Sequence, residues 1–369
     1  MKFRPLFIFF ILALFPLTGC LSNVTSDRES IIVTDLLGRE VALPTQVDRV
    51  VAIGPGALRF YVYAGNPEHL VGVEEIETSD VRFKPYMLAN PNLSALPVIG
   101  QGGPNNALDP EKLLMVDPDL IFSTYTTDPS AADELQAKTG IPVVILNYGG
   151  SGFGTTPIFD QNVQDSLLLI GKICETIEKA QGAADFIIQA QQDLENRIKN
   201  TPDDGKPTVY IGGLGSKGTH GIESTQGKYP LLEVIQANNV VDELGETGSI
   251  IVDREKLLAW DPDHIFIDQG GFAAVLEDYQ KNSIFYESLS AVKNDQIYAL
   301  LPYNYYNTNL GTAIANAYYL GKILYPAEFA DINPELKADE IYQVLLGQSV
   351  YDLLGSTYGG FGKLNLRKP

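Results

Sequence analysis

Short apolar runs alternate with helically spaced stretches along most of the chain. Arg49–Ile53 ends in Gly54-Pro55-Gly56, and Thr208–Ile211 ends in Gly212-Gly213. Apolar runs stopped by glycine read as buried strands followed by turns. Leu120–Phe122, Pro142–Leu146, Ile265–Ile267 and Gln296–Leu301 are four further apolar runs that read as strands. Residues 162–200 contain no proline, and apolar side chains recur at Leu167, Ile170, Ile173, Cys174 and Ile177, then at Ala184, Ile187, Ile188, Leu194 and Ile198. Turn residues Thr201–Gly205 close the stretch. The spacing predicts a helix about 57 Å long, which Gly171 or Gly182 could break in two. Strands alternating with helices predict parallel sheets covered on both faces.

One segment occurs twice. Glu111–Phe122, EKLLMVDPDLIF, recurs as Glu255–Phe266, EKLLAWDPDHIF, with nine of twelve positions identical at a constant offset of 144. That spacing is too long for a solenoid and points to two lobes of one plan. In each copy an aspartate, Asp109 or Asp253, can cap a short helix whose first turn carries Glu111 or Glu255. Asp-Pro-Asp then ends the helix before the next strand. The expected organisation is a leader over 1–19, a tether over 20–30, an N-terminal α/β lobe over 31–160, a connecting helix over 161–200, a C-terminal α/β lobe over 201–350 and an extension over 351–369.

The N-terminus changes the picture of where the protein resides. Lys2 and Arg4 precede twelve uncharged residues, Leu6–Leu17, too few to span a bilayer but right for the apolar region of a signal peptide. Leu17-Thr18-Gly19-Cys20 follows and resembles the bacterial lipobox, in which the cysteine is lipidated and becomes the mature N-terminus. Loss of the leader takes the formal charge from −20 to −22, because it removes Lys2 and Arg4. So acidic a chain, without a basic block, is excluded as a nucleic-acid binder and needs the lipid to hold it at a membrane. Cys174 is then the one remaining cysteine, which leaves no intramolecular disulfide. His69, His220 and His264 lie too far apart for ligand spacing, so no metal site of the chain's own and no cofactor are expected. Gly213–Gly218 fits G-x-G-x-x-G, but Thr219–Gly227 follows without a helical pattern, so the phosphate-binding reading fails. No H-E-x-x-H or G-x-S-x-G occurs.

The lipobox, the two α/β lobes, the connecting helix and the repeated E-x-L-L-x-x-x-P-D-x-I together resemble the periplasmic substrate-binding lipoproteins of ABC importers for iron-siderophores, haem and cobalamin. Val33–Val41, Pro44 and Arg49–Ala52 look like that family's opening hairpin and first strand. The resemblance covers about residues 31–350. It implies a non-enzymatic, monomeric protein with two Rossmann-like lobes hinged by a helix. A metal chelate of the iron(III)-siderophore type would sit between the lobes and pass to a permease and ATPase complex. Cobalamin, haem or a nickel chelate are alternatives within the same role, and a lipid-anchored α/β enzyme is the alternative outside it. By the same resemblance Glu111 and Glu255 would dock on the permease.

Ligands of open α/β sheets sit outside the carboxyl ends of the strands. Those ends are Gly54–Arg59, Glu74-Glu75, Tyr125, Asn147–Phe153, Gly212–His220, Gln269-Gly270 and Tyr303–Asn309. The residues singled out for ligand contact are Gly56, Arg59, Tyr125, Tyr148, Lys217, His220, Gln269, Tyr303, Tyr305 and Tyr306. Tyrosine offers a rigid face for a chelate and a hard oxygen for Fe(III). Arg59 would pair with a carboxylate or hydroxamate oxygen. If Tyr303–Asn309 runs extended, Tyr303 and Tyr305 point together and Tyr306 apart; a turn at Asn304 would pair Tyr303 with Tyr306 instead.

Overall fold

The computed structural model describes residues 30–103, 109–149, 158–215 and 218–367. The leader, Cys20 and Lys217 lie outside them. Strands β1 (Ser30–Thr34) and β2 (Glu40–Pro44) form an antiparallel hairpin. The N-terminal sheet is fully parallel, in the order β3 (Val50–Ile53), β4 (Leu120–Ser123), β5 (Val143–Ile145). Around it lie α1 (Ala57–Ala64), α2 (Glu75–Thr78), α3 (Pro85–Ala89), α4 (Pro110–Met115) and α5 (Pro129–Thr139). Every residue of these three strands is buried, as expected of a sheet covered on both faces.

Two helices, α6 (Gln161–Ile173) and α7 (Ile177–Ile198), join the halves. The single long helix expected over 161–200 is therefore corrected to a pair, and the break falls at Cys174–Thr176 rather than at either glycine. Glu175 takes a positive φ of 56° there. The Thr176 hydroxyl donates to the Ala64 carbonyl at 2.7 Å, and Lys179 Nζ donates to the carbonyls of Val62 and Gly65. These side chains satisfy the C-terminal carbonyls of α1, so docking onto that helix end offsets the lost helical bonds. Gly171 serves the same corner, since a Cβ there would lie 2.4 Å from that of Ala180.

The C-terminal half contains β6 (Thr208–Gly212), β7 (Ser224–Gly227), α8 (Pro230–Val234), β8 (Asn238–Asn239), β9 (Gly248–Ile251), α9 (Arg254–Trp260), β10 (His264–Asp268), α10 (Phe272–Ser288), α11 (Ser290–Lys293), β11 (Ile297–Leu300), α12 (Leu310–Leu324), α13 (Pro334–Leu346), α14 (Tyr351–Tyr358) and β12 (Gly362–Lys363). Its main sheet runs β12-β11-β10-β6-β8, with every pair parallel except β11–β12. Gly362 and Lys363 thus belong to this lobe's sheet rather than to a separate extension, and Leu366 is buried in its core.

The two repeat copies do the same work in each lobe. The Asp109 and Asp253 side chains accept from the amides of Lys112 and Lys256 at 3.2 and 2.7 Å. Asp117 and Asp261, equivalent in the repeat, both take positive φ, 44° and 39°, where the helix ends. Asp119 accepts from the amides of Asp48 and Arg49 just before β3, and Asp263 accepts from the amide of Thr208 at the start of β6. The third aspartate therefore pins the first strand of each lobe. The largest core cluster runs from β3 and α1 through α6, α7 and α12 to α13, so both lobes share one apolar interior.

Candidate ligand cleft between the lobes

The strand ends of the two sheets meet across a seam. On the N-terminal side Gly54, Gly56, Glu74, Tyr125 and Tyr148 follow β3, the Val73 bridge, β4 and β5. The chain after β3 packs closely: a Cβ on Gly54 would lie 2.8 Å from the Thr124 hydroxyl and 2.9 Å from the Tyr125 amide nitrogen, at a φ of +94°. Glycine is required there. On the C-terminal side the seam is formed by Asp268–Gly270 and Tyr303–Asn309.

Three oxygen-bearing side chains converge across it. The buried Glu74 accepts from the Gly54 amide at 2.8 Å and from the Tyr306 hydroxyl at 3.0 Å, and its other oxygen accepts from the Tyr125 hydroxyl. The two phenol oxygens are 3.0 Å apart, and the Gly103 amide donates to that of Tyr306 at 3.1 Å. Burial pushes the Glu74 carboxyl up to about 7, although the bonds from Tyr125 and Gly54 oppose it. Burial is the larger effect, because a carboxylate shut away from water is costly even with three donors on it. Burial also raises both phenols, and the Glu74 charge adds to it.

Arg59 is fully buried on α1, a helix with no exposed face. Its Nε donates to Asn309 Oδ1 at 2.8 Å, Nη1 to the Tyr148 hydroxyl at 3.0 Å and the Thr308 carbonyl at 2.7 Å, and Nη2 to the Tyr305 and Tyr306 carbonyls at 3.1 and 3.5 Å. All five guanidinium N–H groups are used. Beside it, Glu77 accepts from the Tyr86 hydroxyl, and Lys84 Nζ donates to the Ile76 and Ser79 carbonyls. Lys84 also sits 4.7 Å from the centroid of the Tyr305 ring, which stacks on Phe83 at 5.1 Å. Burial lowers the Lys84 ammonium to about 8.

Not every residue singled out in the sequence reaches the seam in the expected role. Arg59 is corrected: it has no donor left for a ligand oxygen and acts as a strut from the N-terminal lobe to the 305–309 segment. Tyr148 donates to the Gly56 carbonyl at 3.0 Å and stacks on Phe60 at 3.9 Å, so Gly56 is small to admit that ring. Tyr303 turns away into the core, edge-on to Tyr229. Both alternatives for the tyrosine segment fail, because Tyr306 and Asn307 take positive φ, 48° and 74°. The three rings go three ways: Tyr303 into the C-terminal core, Tyr305 onto Phe83, and Tyr306 to Glu74. The Gln269 amide is buried and donates to the Gly360 carbonyl at 2.8 Å. His220 is half-buried on the loop after β6. Glu111 and Glu255 are exposed in the first turns of α4 and α9. The sequence signal missed most plainly is Glu74, an acid directly after the buried Val73.

A family model described as periplasmic binding protein matches residues 61–303. The molybdate-binding protein MolA of Haemophilus influenzae is 25% identical over 336 residues, covering 87% of this chain and 91% of that protein. A periplasmic solute-binding protein from Veillonella parvula superposes with a TM-score of 0.71 at 18% identity, over 89% of this chain and 97% of its own. The structure of MolA with molybdate superposes with a TM-score of 0.65 at 20% identity, over 86% of this chain and 98% of its own. The model match runs from within α1 to Tyr303, well over half of the chain, and takes in Glu74, Tyr125 and Asp268; the chain belongs to the periplasmic binding protein family.

Proposed function

We propose that this periplasmic binding protein captures an iron(III) chelate of the siderophore type between its lobes, through Glu74, Tyr125 and Tyr306, and delivers it to an ABC importer. The convergence of one carboxylate and two phenols from opposite lobes carries the reading. Hard oxygen donors suit a hard trivalent metal. The acid and the phenols favour a complex with positive or neutral character and positions open to protein oxygens. The half-exposed Phe83 and Tyr305 rings supply a flat apolar wall beside them. The protein acts as a carrier, and its family is one of solute-binding proteins rather than enzymes.

Two further parts complete the reading. Cys20 carries the lipid that holds the protein at the outer face of the cell membrane. Glu111 and Glu255 dock on the permease. Neither has an ion-pair partner among the described residues, and each is followed three residues later by an exposed leucine, Leu114 or Leu258. A charged tip with an apolar neighbour, repeated on both lobes, fits a two-point contact.

The name of the MolA relative favours a second reading, an oxyanion such as molybdate. Glu74 opposes it, because once ionised its carboxylate repels an anion. One titration separates the two: ferric siderophores, haem, cobalamin and molybdate against wild type and Tyr306→Phe. A ferric chelate should bind wild type with a visible phenolate-to-iron band that Tyr306→Phe removes, with affinity falling at least tenfold. Molybdate binding alone, or an iron complex whose spectrum and affinity survive Tyr306→Phe, would refute coordination by this cluster.

A further inference from the structure

Asp268 ends β10 on the C-terminal wall of the seam and is buried. Its side chain accepts one hydrogen bond, from the Gly270 amide at 2.8 Å. Among the described residues no lysine, arginine or histidine pairs with it. A carboxylate taken out of water is normally paired or neutralised, so an unpaired one beside a cleft needs an explanation. Its position faces the other lobe: a Cβ on Gly270 would lie 3.0 Å from Asp268 Oδ1 and 3.5 Å from the Phe83 ring.

Independent observations mark the same place. The Gln269 amide is fixed through its nitrogen to Gly360, yet its buried Oε1 has no partner. The buried Tyr358 hydroxyl has none either, although its ring lies 5.4 Å from that of Phe83. The Tyr229 hydroxyl makes no hydrogen bond of good geometry, with Tyr303 edge-on beside it. Burial raises the Tyr229, Tyr303 and Tyr358 phenols, and the Asp268 charge adds to each. Burial likewise pushes Asp268 up to about 7, with only the Gly270 bond opposing it. Orphaned acceptors next to an unpaired carboxylate call for a donor bearing positive charge.

We propose that Asp268, the Gln269 carbonyl and the Tyr358 hydroxyl form a subsite on the C-terminal wall that receives an alkylammonium group of the ligand. The inference rests on the reading that the seam is the ligand cleft, and it adds a chemical feature to that ligand: an amine arm besides the metal-binding oxygens. An ammonium offers three donors and one charge, which matches one carboxylate and two neutral acceptors.

The test uses probes that contain no metal. Thermal unfolding of the purified protein is followed with about 50 mM n-butylammonium chloride or sodium chloride, for wild type, Asp268→Asn and Lys217→Ala. Butylammonium should raise the wild-type midpoint by about 1–3 °C over sodium and leave Asp268→Asn unmoved. Asp268→Asn without probe should unfold no lower than wild type, because it removes an unpaired buried charge. Failure of Asp268→Asn to fold, or an equal butylammonium shift in it, would overturn the proposal. So would no butylammonium effect on wild type, or an effect seen only in Lys217→Ala, which would make that lysine the carboxylate's partner. An ammonium shift in a protein that binds no ferric chelate would sink the chelate reading alone. Chelate binding without the ammonium shift would sink this one alone.

Discussion

Replacing Arg59 with methionine should loosen the lobes while leaving the aliphatic stem in place. The guanidinium on α1 holds Asn309 Oδ1 and the Thr308, Tyr305 and Tyr306 carbonyls, all on the other side of the seam. Methionine can donate to none of them. Each hydrogen bond from a charged donor is worth about 1.5–3 kcal/mol, and each buried acceptor left unmade costs about 1–3 kcal/mol. These terms overlap, since the acceptors regain water if the seam opens. Removal of one partner from a buried charged network typically costs about 3–5 kcal/mol, and we expect that range here. For a chain of this size it corresponds to a fall in Tm of about 4–7 °C. Urea unfolding gives the free energy, and small-angle scattering should show a larger radius of gyration than wild type. Arg59→Lys restores the charge but not the planar fork, so it should recover less than half of the loss. A loss below about 1 kcal/mol with an unchanged radius would refute the strut, being no more than one ordinary neutral bond. A fall in ligand affinity with stability intact would instead put the guanidinium on the ligand.

Three other outcomes are expected. Reversing Glu111 and Glu255 to lysine should abolish most uptake while the ligand Kd stays within about threefold, because like charge would meet the permease while the cleft lies elsewhere; a proportionate loss of affinity and uptake would place both acids in the pocket. Stability should fall as pH rises from about 5 to 7.5, because burial holds Asp268 and Glu74 protonated to about 7 in the folded state whereas the unfolded chain has already released those protons. The combined effect over this range is at most about 5 kcal/mol, Asp268→Asn should flatten part of it, and a urea free energy that climbs over this range would contradict the burial argument. Cys20→Ser should move the protein from membrane to soluble fractions, and entry of labelled palmitate into that variant as readily as into wild type would dispose of the lipobox.

Local chemistry was legible where one residue decides it. Asp109 and Asp253 cap their helices because a short acceptor at that position meets a free amide whatever surrounds it. Most strands were legible for a similar reason, being short apolar runs, two of them stopped by glycine. The break at Cys174–Thr176 was not, because it depends on the carbonyl end of α1, more than a hundred residues away. Glu74 was placed at a strand end but not marked as central, since its burial and its bonds come from Gly54, Tyr125 and Tyr306. The tyrosine segment failed for a different reason: positive φ at Tyr306 and Asn307 is rare for side-chain-bearing residues, and neither an extended strand nor a single turn predicts it. The final residues carried no motif, yet β12 completes a sheet edge, a role that only the partner strand β11 reveals.

The lobes share a continuous apolar interior, and α13 of the C-terminal half packs on α1, α3 and α7 as well as on α12. Separating the lobes fully would expose much of that interior, so a small opening at the seam is the motion the fold permits. The residues offered to the ligand are consistent with such a motion. Glu74, Tyr125 and Tyr306 already bond to one another across the seam, and a ligand must break those bonds to form its own. Binding free energy is then a difference, and a molecule that only matches ordinary hydrogen bonds gains little. Under the proposed reading a hard metal would displace the phenol protons and gather the same three oxygens onto one centre, which a neutral sugar or peptide cannot do. The self-satisfied triangle thus works against weak polar ligands, and under the proposed reading a metal-centred one would overcome it.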